Sequence, residues 1–269
     1  MTAFLHHLAY DFKTGIRDRS KLLMFYLFPV VFFVLVGGLM SSVNPGFKET
    51  MIPGMVLFAF MCSALLNLPG LLVNAREAGV FRSYRINGVP SASIVSLPVI
   101  GTGVHMAVVA VVITFAGMRF YGGVAPSHAA GFAAAALLSY AMYAGIGVLI
   151  GVAAANNTVC ILVSQLIYIP SIILGGLMVP SSMLPAGLQR VSLLLPAAHS
   201  MRVFIGLGMP GSTGTPWLSL CVMAASIVVS FGLSALLFEW DSRASAPSRK
   251  AWAALLAIVP FAVSALVGA

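Results

Sequence analysis

Long apolar stretches dominate the pattern of hydrophobic and polar positions along this chain. Seven stretches free of Asp, Glu, Lys and Arg reach or approach the ~20 residues that a helix needs to cross the ~30 Å hydrocarbon core of a membrane. Runs such as residues 22–40 do not alternate polar and apolar positions, as the strands of a membrane barrel would, so we predict helices. The predicted spans are residues 22–41, 52–73, 94–117, 130–153, 159–179, 216–238 and 251–268.

The composition supports a membrane location for most of the chain. Hydrophobic residues make up 60% of the 269 residues and charged residues only 7%, and the mean hydropathy is +1.05. Average soluble domains carry about 25% charged residues, so this chain could not cover a surface that faces water. A soluble enzyme and a disordered chain are both excluded. We therefore predict an all-α integral membrane protein, a polytopic helical bundle.

The residues before the first predicted span have a different pattern. Phe4, Leu8, Phe12 and Ile16 recur every four residues and would form an apolar stripe on a helix whose other sides are polar. This pattern is typical of an amphipathic helix that lies in the membrane interface. We therefore predict such a helix over residues 1–21, followed by a six-span core over residues 22–238.

The net charge of +8 carries information about orientation. In a soluble protein this excess would suggest nucleic-acid binding, but here the basic residues flank the apolar stretches, as topology signals and contacts to anionic lipids do. If the N-terminus is cytoplasmic, ten of the 14 Lys and Arg residues fall in cytoplasmic segments. We therefore predict a multi-pass protein that contacts membrane lipids, has a cytoplasmic N-terminus and has no nucleic-acid partner.

The segment 180–215 is too apolar for an ordinary loop. It contains Pro180, Pro185, Pro196 and Pro210, and proline begins helices well but interrupts them. Two short helices near residues 185–195 and 197–206 fit this pattern, as a hairpin that dips into the outer leaflet. Irregular backbone at that depth has to be covered by protein or by a wet cavity, so we expect the hairpin to pack on other spans.

The predicted spans hold little of the chemistry that other membrane-protein classes need. They contain no Asp, Glu, Lys or Arg, which most ion-coupled transporters require; backbone carbonyls also bind Na⁺, so an ion-coupled secondary transporter stays open as an alternative. No spacing is typical of a metal site or of a nucleophile with its base, so we predict neither catalytic nor metal-binding residues. None of the four lysines follows glycine, as a P-loop requires, so we predict no ATP site in this chain and no enzyme.

The segment 74–93, NAREAGVFRSYRINGVPSAS, predicts a short helix after the second span. Glu77 would lie in its first turn and Arg82 and Arg85 toward its other end, which matches the polarity of a helix dipole. Gly88 and Pro90 predict where the helix ends. Its apolar residues exceed what a membrane-surface anchor needs, so we expect the helix to dock onto another protein. These residues are Val80, Phe81, Tyr84 and Ile86.

In this order, the motifs resemble the permease subunits of type-2 ABC exporters, a family that includes drug, lipid and polysaccharide exporters. The predicted amphipathic helix precedes a first span with an internal proline, RDRSKLLMFYLFPVVFFVLVGG. The loop REAGVFRSYRINGVP is similar to the family's coupling-helix pattern, and GGLMVPSSMLPAGLQRVSLLLPAAHSMR is similar to its Gly-rich exit, Leu-Pro hairpin and closing arginine. The resemblance covers residues 1–240. The usual permease has six spans, so residues 251–268 are an addition, either a seventh span or, given Pro260, a re-entrant or surface segment.

The resemblance implies an exporter that is driven by another protein. A cytoplasmic ABC ATPase, in two copies and carrying ATP and Mg²⁺, would bind the coupling helix and the amphipathic helix, while this chain itself binds no cofactor. A second permease chain would complete a homodimer or a heterodimer in the bacterial inner membrane. The residues implied in coupling to the ATPase are Glu77, Gly79, Phe81, Arg82, Tyr84, Arg85 and Asn87.

The family places its substrate path between spans one, two and five of the two chains. Aromatic and methionine side chains in those spans imply the efflux of a hydrophobic or amphiphilic small molecule, or of a lipid-like one. Besides the ion-coupled transporter, two alternatives stay open: an ABC importer permease, which requires an external binding protein, and a membrane scaffold that transports nothing. The candidate path residues are Phe28, Phe32, Phe58, Met61 and Tyr168.

Overall fold

The protein is a helical bundle. The computed structural model describes residues 13, 22–43, 46–180, 183–211, 215–240 and 249–267. It is 84% helical, and the residues it describes include no strand. The predicted all-α polytopic fold is therefore confirmed. The amphipathic helix predicted over residues 1–21 lies, apart from Lys13, outside the described residues.

Five helices of the described chain, α2, α4, α5, α6 and α9 below, are long and apolar enough to cross a membrane. Shorter apolar helices, Phe25–Met40 and Trp252–Val267, lie where the first and seventh spans are predicted. Within the predicted hairpin, α7 and α8 are bent by 93° relative to each other. The helices are α1 (Phe28–Val43), α2 (Phe47–Glu77), α3 (Val80–Ile86), α4 (Ser91–Tyr121), α5 (Ala129–Ala153), α6 (Asn157–Leu174), α7 (Ala186–Ser192), α8 (Pro196–Gly208), α9 (Trp217–Leu237) and α10 (Val259–Val267).

Local signals in the sequence explain where several helices begin and end. Asn156 accepts a hydrogen bond from the backbone N–H of Val159 at 2.9 Å, so it caps the start of α6. Pro196 occupies the first turn of α8, where its missing N–H is not needed. Gly122 ends α4 with φ +65°, a left-handed conformation that glycine adopts without strain.

Contacts between loops show that the long helices alternate between two ends of the bundle. Arg76, near the end of α2, donates to the backbone carbonyls of Gly151, Val152 and Ala154 at the end of α5. Phe81 of α3 packs against Phe238, just after α9, so α3 and the ends of α2, α5 and α9 lie together. At the opposite end, the N–H of Val124 bonds to the carbonyl of Lys48, and that of Ser127 to the carbonyl of Gly208. We call these the α3 end and the α8 end.

Helices α2 and α5 form the centre of the bundle. The most apolar stretch of each is 78% buried, against 22% for α6. Glycines on α5 allow the close approach: a β-carbon at Gly147 would collide with the backbone oxygen of Ala64, and one at Gly151 would lie 2.9 Å from the backbone oxygen of Pro69. The two helices therefore touch backbone to backbone, without intervening side chains.

Two π-helical segments contact each other near the middle of the fold. They are Leu23–Leu27, which leads into α1, and Cys62–Asn67, which lies within α2. A π segment is a local irregularity in the helical hydrogen-bond pattern that occurs often at functional sites. The first segment is tied to α4, because the Tyr26 hydroxyl lies 2.6 Å from Nδ1 of the buried His105.

The C-terminal segment packs along α9 and reaches the α8 end. Its first part is the 3-10 helix Arg249–Ile258, which leads into α10, and both contact α9. At the α8 end, the Ser264 hydroxyl lies 3.1 Å from Nε2 of His199, and Nδ1 of His199 lies 3.2 Å from the Ser219 hydroxyl. The segment extends roughly 33 Å, from rises of about 2.0 and 1.5 Å per residue. This length matches a hydrocarbon core, and the seventh span stays a prediction.

Candidate functional site

The short helix α3 is delimited by two glycines in left-handed conformation. Gly79 has φ +72° and Gly88 has φ +70°. A β-carbon would meet nothing within 4 Å at either position, so the backbone angle alone favours glycine there. After α3, the side-chain amide of Asn87 donates to the Ser83 carbonyl at 2.8 Å and closes the last turn. The chain therefore turns sharply out of α2, forms two helical turns, and turns again into α4.

The prediction that Glu77 lies in the first turn of the short helix is wrong. Glu77 is the last residue of α2, and the backbone N–H of Gly79 bonds to the Arg76 carbonyl at 3.1 Å. The left-handed angle at Gly79 breaks the helix, so α3 begins only at Val80. The carboxylate of Glu77 is exposed beside α3 rather than part of it.

One side of α3 is anchored to the bundle by Phe81. This side chain is 4% exposed, and its ring centroid lies 5.5 Å from that of Phe238, just after α9. A partly open apolar cavity of about 160 Å³ lies beneath α3, against α2 and α4. The residues that line it include Leu72, Ala75, Phe81, Tyr84, Ile94 and Leu97.

The other side of α3 faces away from the bundle. Arg82 and Arg85 are exposed, and Ile86 is 79% exposed. Among the other residues predicted for coupling, Glu77, Gly79 and Asn87 are exposed and Tyr84 is half-buried. The structure thus presents basic and polar groups around one prominent apolar side chain. We call this set, Glu77, Arg82, Arg85, Ile86 and Asn87, the outward surface of α3.

The predicted substrate-path residues come together as an aromatic cluster between α1, α2 and α6. The rings of Phe32 and Phe58 stack with centroids 3.7 Å apart and planes 7° apart. Phe28 lies 5.9 Å and Tyr168 lies 6.2 Å from Phe58, by ring centroids. Four of the five residues, which are far apart in sequence, therefore form one continuous set of rings.

The cluster borders the π-helical segment of α2. The Tyr168 hydroxyl lies 3.1 Å from Sγ of Cys62, the first residue of that segment. Met61, the fifth predicted path residue, directly precedes Cys62 and is fully buried, as is Phe58. The cluster is therefore closed over its α2 side in this structure, while Phe28 is 41% exposed at its edge.

The inner side of α6 is narrow and carries polar atoms. Its buried residues are spaced three or four apart, so they lie along one stripe of the helix and the other sides face outward. In the described part of the chain, no group of three His, Cys, Asp or Glu residues is placed to hold a metal ion. The buried residues of α6 are Cys160, Ser164, Tyr168 and Ser171.

Apolar helices that alternate between two ends, with a short projecting helix at one end, define a polytopic membrane protein. Residues 2–209 match the ABC-2 type transporter family, and the chain belongs to that family. It is an ABC transporter permease, the integral membrane component, and is not itself the catalytic subunit. Permease domains of this family work in general with an ATPase subunit. Comparison with curated proteins gave no match.

Two features of the site do not follow from the sequence pattern. The first is the buried side chain of Arg76, which sequence reasoning treats only as a topology signal because it follows an apolar stretch. The second is the π-helical segment Cys62–Asn67, which no residue type specifies. Both depend on the partner helices, since Arg76 bonds to the end of α5 and Cys62 contacts Tyr168 of α6.

Proposed function

We propose that this permease exports a hydrophobic or amphiphilic small molecule, or a lipid-like one, and is driven by a separate ATPase that docks on α3. The observation that carries the proposal is the two-sided geometry of α3. Phe81 joins the helix to the bundle, while Arg82, Arg85 and Ile86 face outward. A helix that packs on the bundle with one side and is exposed on the other can transmit a movement of a docked protein to the membrane-spanning helices.

The α3 end is proposed to be cytoplasmic. Arg76, Arg82 and Arg85 lie there, and excess Lys and Arg mark cytoplasmic loops. The opposite side carries four of the 14 Lys and Arg residues, namely Lys48, Arg119, Arg190 and Arg202, and the other ten belong to segments on the α3 side if the N-terminus lies there. This orientation gives a cytoplasmic N-terminus in a bacterial inner membrane, and it places α3 where a soluble ATPase, with its ATP and Mg²⁺, has access.

The substrate class is supported by the aromatic cluster. Phe28, Phe32, Phe58 and Tyr168 offer four adjoining rings, of which one pair is stacked and one carries a hydroxyl. Such a surface binds apolar or amphiphilic molecules through ring contacts. Because Phe58 is buried, substrate would reach it after α2 and α6 separate. The neighbouring π-helical segment offers a place where α2 could change register during that motion.

A second permease chain, identical or homologous, is part of the proposal. The outer side of α6 carries a run of exposed apolar residues next to the aromatic cluster, including Ile161, Leu162, Leu166, Ile169 and Ile173. A pair of permeases with one ATPase each would enclose the path between two such clusters.

The docking proposal is tested by the double substitution Glu77→Ala and Arg82→Ala. We expect retention of the partner ATPase and stimulation of its ATP hydrolysis to fall at least about tenfold, which is about 1.4 kcal/mol of binding, because two exposed charges are removed from the docking surface. The measurement is affinity co-purification from native membranes, followed by ATP hydrolysis in lipid nanodiscs.

The matched control is Arg190→Ala. Arg190 is an exposed arginine in the last turn of α7, which like α3 has seven residues but lies in the bent pair α7–α8. This variant should retain wild-type ATPase binding. Wild-type hydrolysis in the double variant, with equal insertion into the membrane, would remove α3 as the docking site.

The substrate site is tested by Tyr168→Ala, compared with Phe115→Ala, a 65% exposed aromatic residue on α4. The measurement is the concentration of an amphiphilic aromatic dye that gives half-maximal stimulation of ATP hydrolysis. Loss of the Tyr168 ring should raise this concentration about tenfold, since aromatic contacts in a binding site contribute on the order of 1–2 kcal/mol. Phe115→Ala should leave this concentration unchanged. Equal responses of the two variants would argue against substrate contact at the cluster.

A further inference from the structure

A buried arginine joins the α3 end of α2 to the end of α5. Arg76 is 3% exposed, one residue before the end of α2. Its guanidinium donates to the carbonyl oxygens of Gly151 at 3.4 Å, Val152 at 3.0 Å and Ala154 at 2.5 Å. These acceptors are 75 to 78 residues away in sequence. The side chain therefore makes a long-range contact at the point where α5 ends.

The chemistry of the contact favours arginine over other residues. The last carbonyls of a helix have no partner within the helix and carry partial negative charge. A guanidinium presents five donors in a rigid planar fork, so it can satisfy several of these carbonyls at once. A lysine ammonium would keep the charge but concentrate its donors at one point. In an apolar bundle, the paired arrangement also provides the partners that a buried charge needs.

The Arg76 contact lies at one end of a helix pair that is already tightly packed. Gly147 and Gly151 hold α5 against the backbone of α2 over the neighbouring turns. Beyond the contact, three residues, Ala154, Ala155 and Asn156, connect α5 to α6, and Asn156 caps α6. A displacement of the α3 end of α2 would thus move the end of α5 and the start of α6 with it.

We infer that Arg76 is the positioning residue through which motion of α3 reaches α6, the helix that carries Tyr168. The inference deepens the proposed function and rests on it, because the motion originates in the docked ATPase. Arg76 contacts neither nucleotide nor the aromatic cluster; it acts by fixing the α5–α6 loop to the base of α3. In a variant that lacks the Arg76 contact, α3 moves with the ATPase and α6 follows this motion only in part.

The experiment measures two distances in the complex of permease and ATPase. Spin labels are placed pairwise at exposed positions: Ser83 on α3 with Val111 on α4, and Thr158 on α6 with Val111. The exposed Cys221 is first replaced by serine, and the labelled chain is diluted with unlabelled chain so that one label pair occurs per complex. Each distance is recorded without nucleotide and after trapping with ATP and vanadate.

In the wild type, we expect trapping to change both distances. In Arg76→Gln, the Ser83 distance should still change, while the change at Thr158 should fall to less than about half; Arg76→Lys should lie between these results. Arg119→Gln, an exposed arginine at the end of α4, serves as control and should behave as wild type. A merely structural role would lower the melting temperature without altering the ratio of the two changes.

The outcomes separate the two proposals. A Ser83 distance that stays fixed in the wild-type complex overturns ATPase docking on α3 and this inference with it. A Ser83 distance that changes, combined with full Thr158 change in Arg76→Gln, overturns the role of Arg76 and leaves docking intact. If Arg76→Gln does not insert, the same comparison is made with Arg76→Lys, in which an unreduced Thr158 change also overturns the inference.

Discussion

Replacing Gly147 with alanine should separate the two central helices and destabilise the permease by about 3 kcal/mol, the upper part of the range for overpacked sites. The added β-carbon would overlap the backbone oxygen of Ala64, which lies in the π-helical segment of α2. A carbonyl fixed in a helix cannot rotate away as a side-chain end can, so α2 and α5 have to move apart. The measurement is thermal unfolding in detergent, where we expect a fall of roughly 5–10 °C.

Gly232→Ala is the matched control for this substitution. Gly232 lies inside α9, and a β-carbon there would meet nothing within 4 Å. Alanine has the higher helix propensity, so this variant should unfold at the wild-type temperature or slightly above it. Equal unfolding temperatures for the two alanine variants would contradict the backbone contact between α2 and α5.

The Phe81→Ala variant should release α3 from the bundle while the spans stay folded. Truncation of a buried phenylalanine costs about 3 kcal/mol or more, which corresponds to roughly a hundredfold change in a local opening equilibrium. Phe81 and its neighbour Phe238 account for the ring contact that joins α3 to the end of α9. Amide hydrogen exchange of residues 80–88 in nanodiscs should therefore accelerate about a hundredfold, and stimulation of the ATPase should be lost.

Ile86→Ala, on the same helix, should weaken ATPase binding without loosening α3 from the bundle. Ile86 is 79% exposed, so its truncation removes no internal packing and exchange in α3 should stay at the wild-type rate. Binding of the ATPase should still weaken, because this apolar side chain belongs to the outward surface of α3. If both variants accelerate exchange equally, α3 is not anchored through Phe81 in the way the structure indicates.

The membrane fold could be predicted from the sequence because long stretches of the chain contain no Asp, Glu, Lys or Arg. The charge-free stretches located the long helices, but not their limits. The predicted span 52–73 is part of a longer helix, Phe47–Glu77, because the helix continues through the charged residues Lys48 and Glu49 beyond its apolar part. The stretch 159–179 was too long, because α6 ends at Leu174, before Gly175 and the left-handed Gly176, whose φ is +85°. Hydropathy alone does not contain these backbone signals.

The site was predictable only in its separate parts. Gly88 and Pro90 correctly predicted where α3 ends. The family resemblance, which is confirmed, indicated the aromatic residues that the fold brings together. The break at Gly79 was missed, because a glycine within a helical pattern does not by itself reveal a left-handed angle. The contact of Arg76 with the end of α5 was missed because it depends on a residue pair about 76 positions apart, which local patterns do not register.

The C-terminal packing has a consequence for grafting experiments between homologous permeases. The family match ends at residue 209, yet α9 lies against α5 so closely that a β-carbon at Gly145 would be 3.2 Å from the ring of Phe231. The Ser264 hydroxyl, 3.1 Å from Nε2 of His199, adds a polar contact across the same boundary. In a chimaera joined at residue 209, the α9 helix of a homologue would have to pack on the glycine-lined surface of α5, which fits the α9 of this chain. Segments exchanged between such permeases should therefore include α9 and the C-terminal segment together with the core.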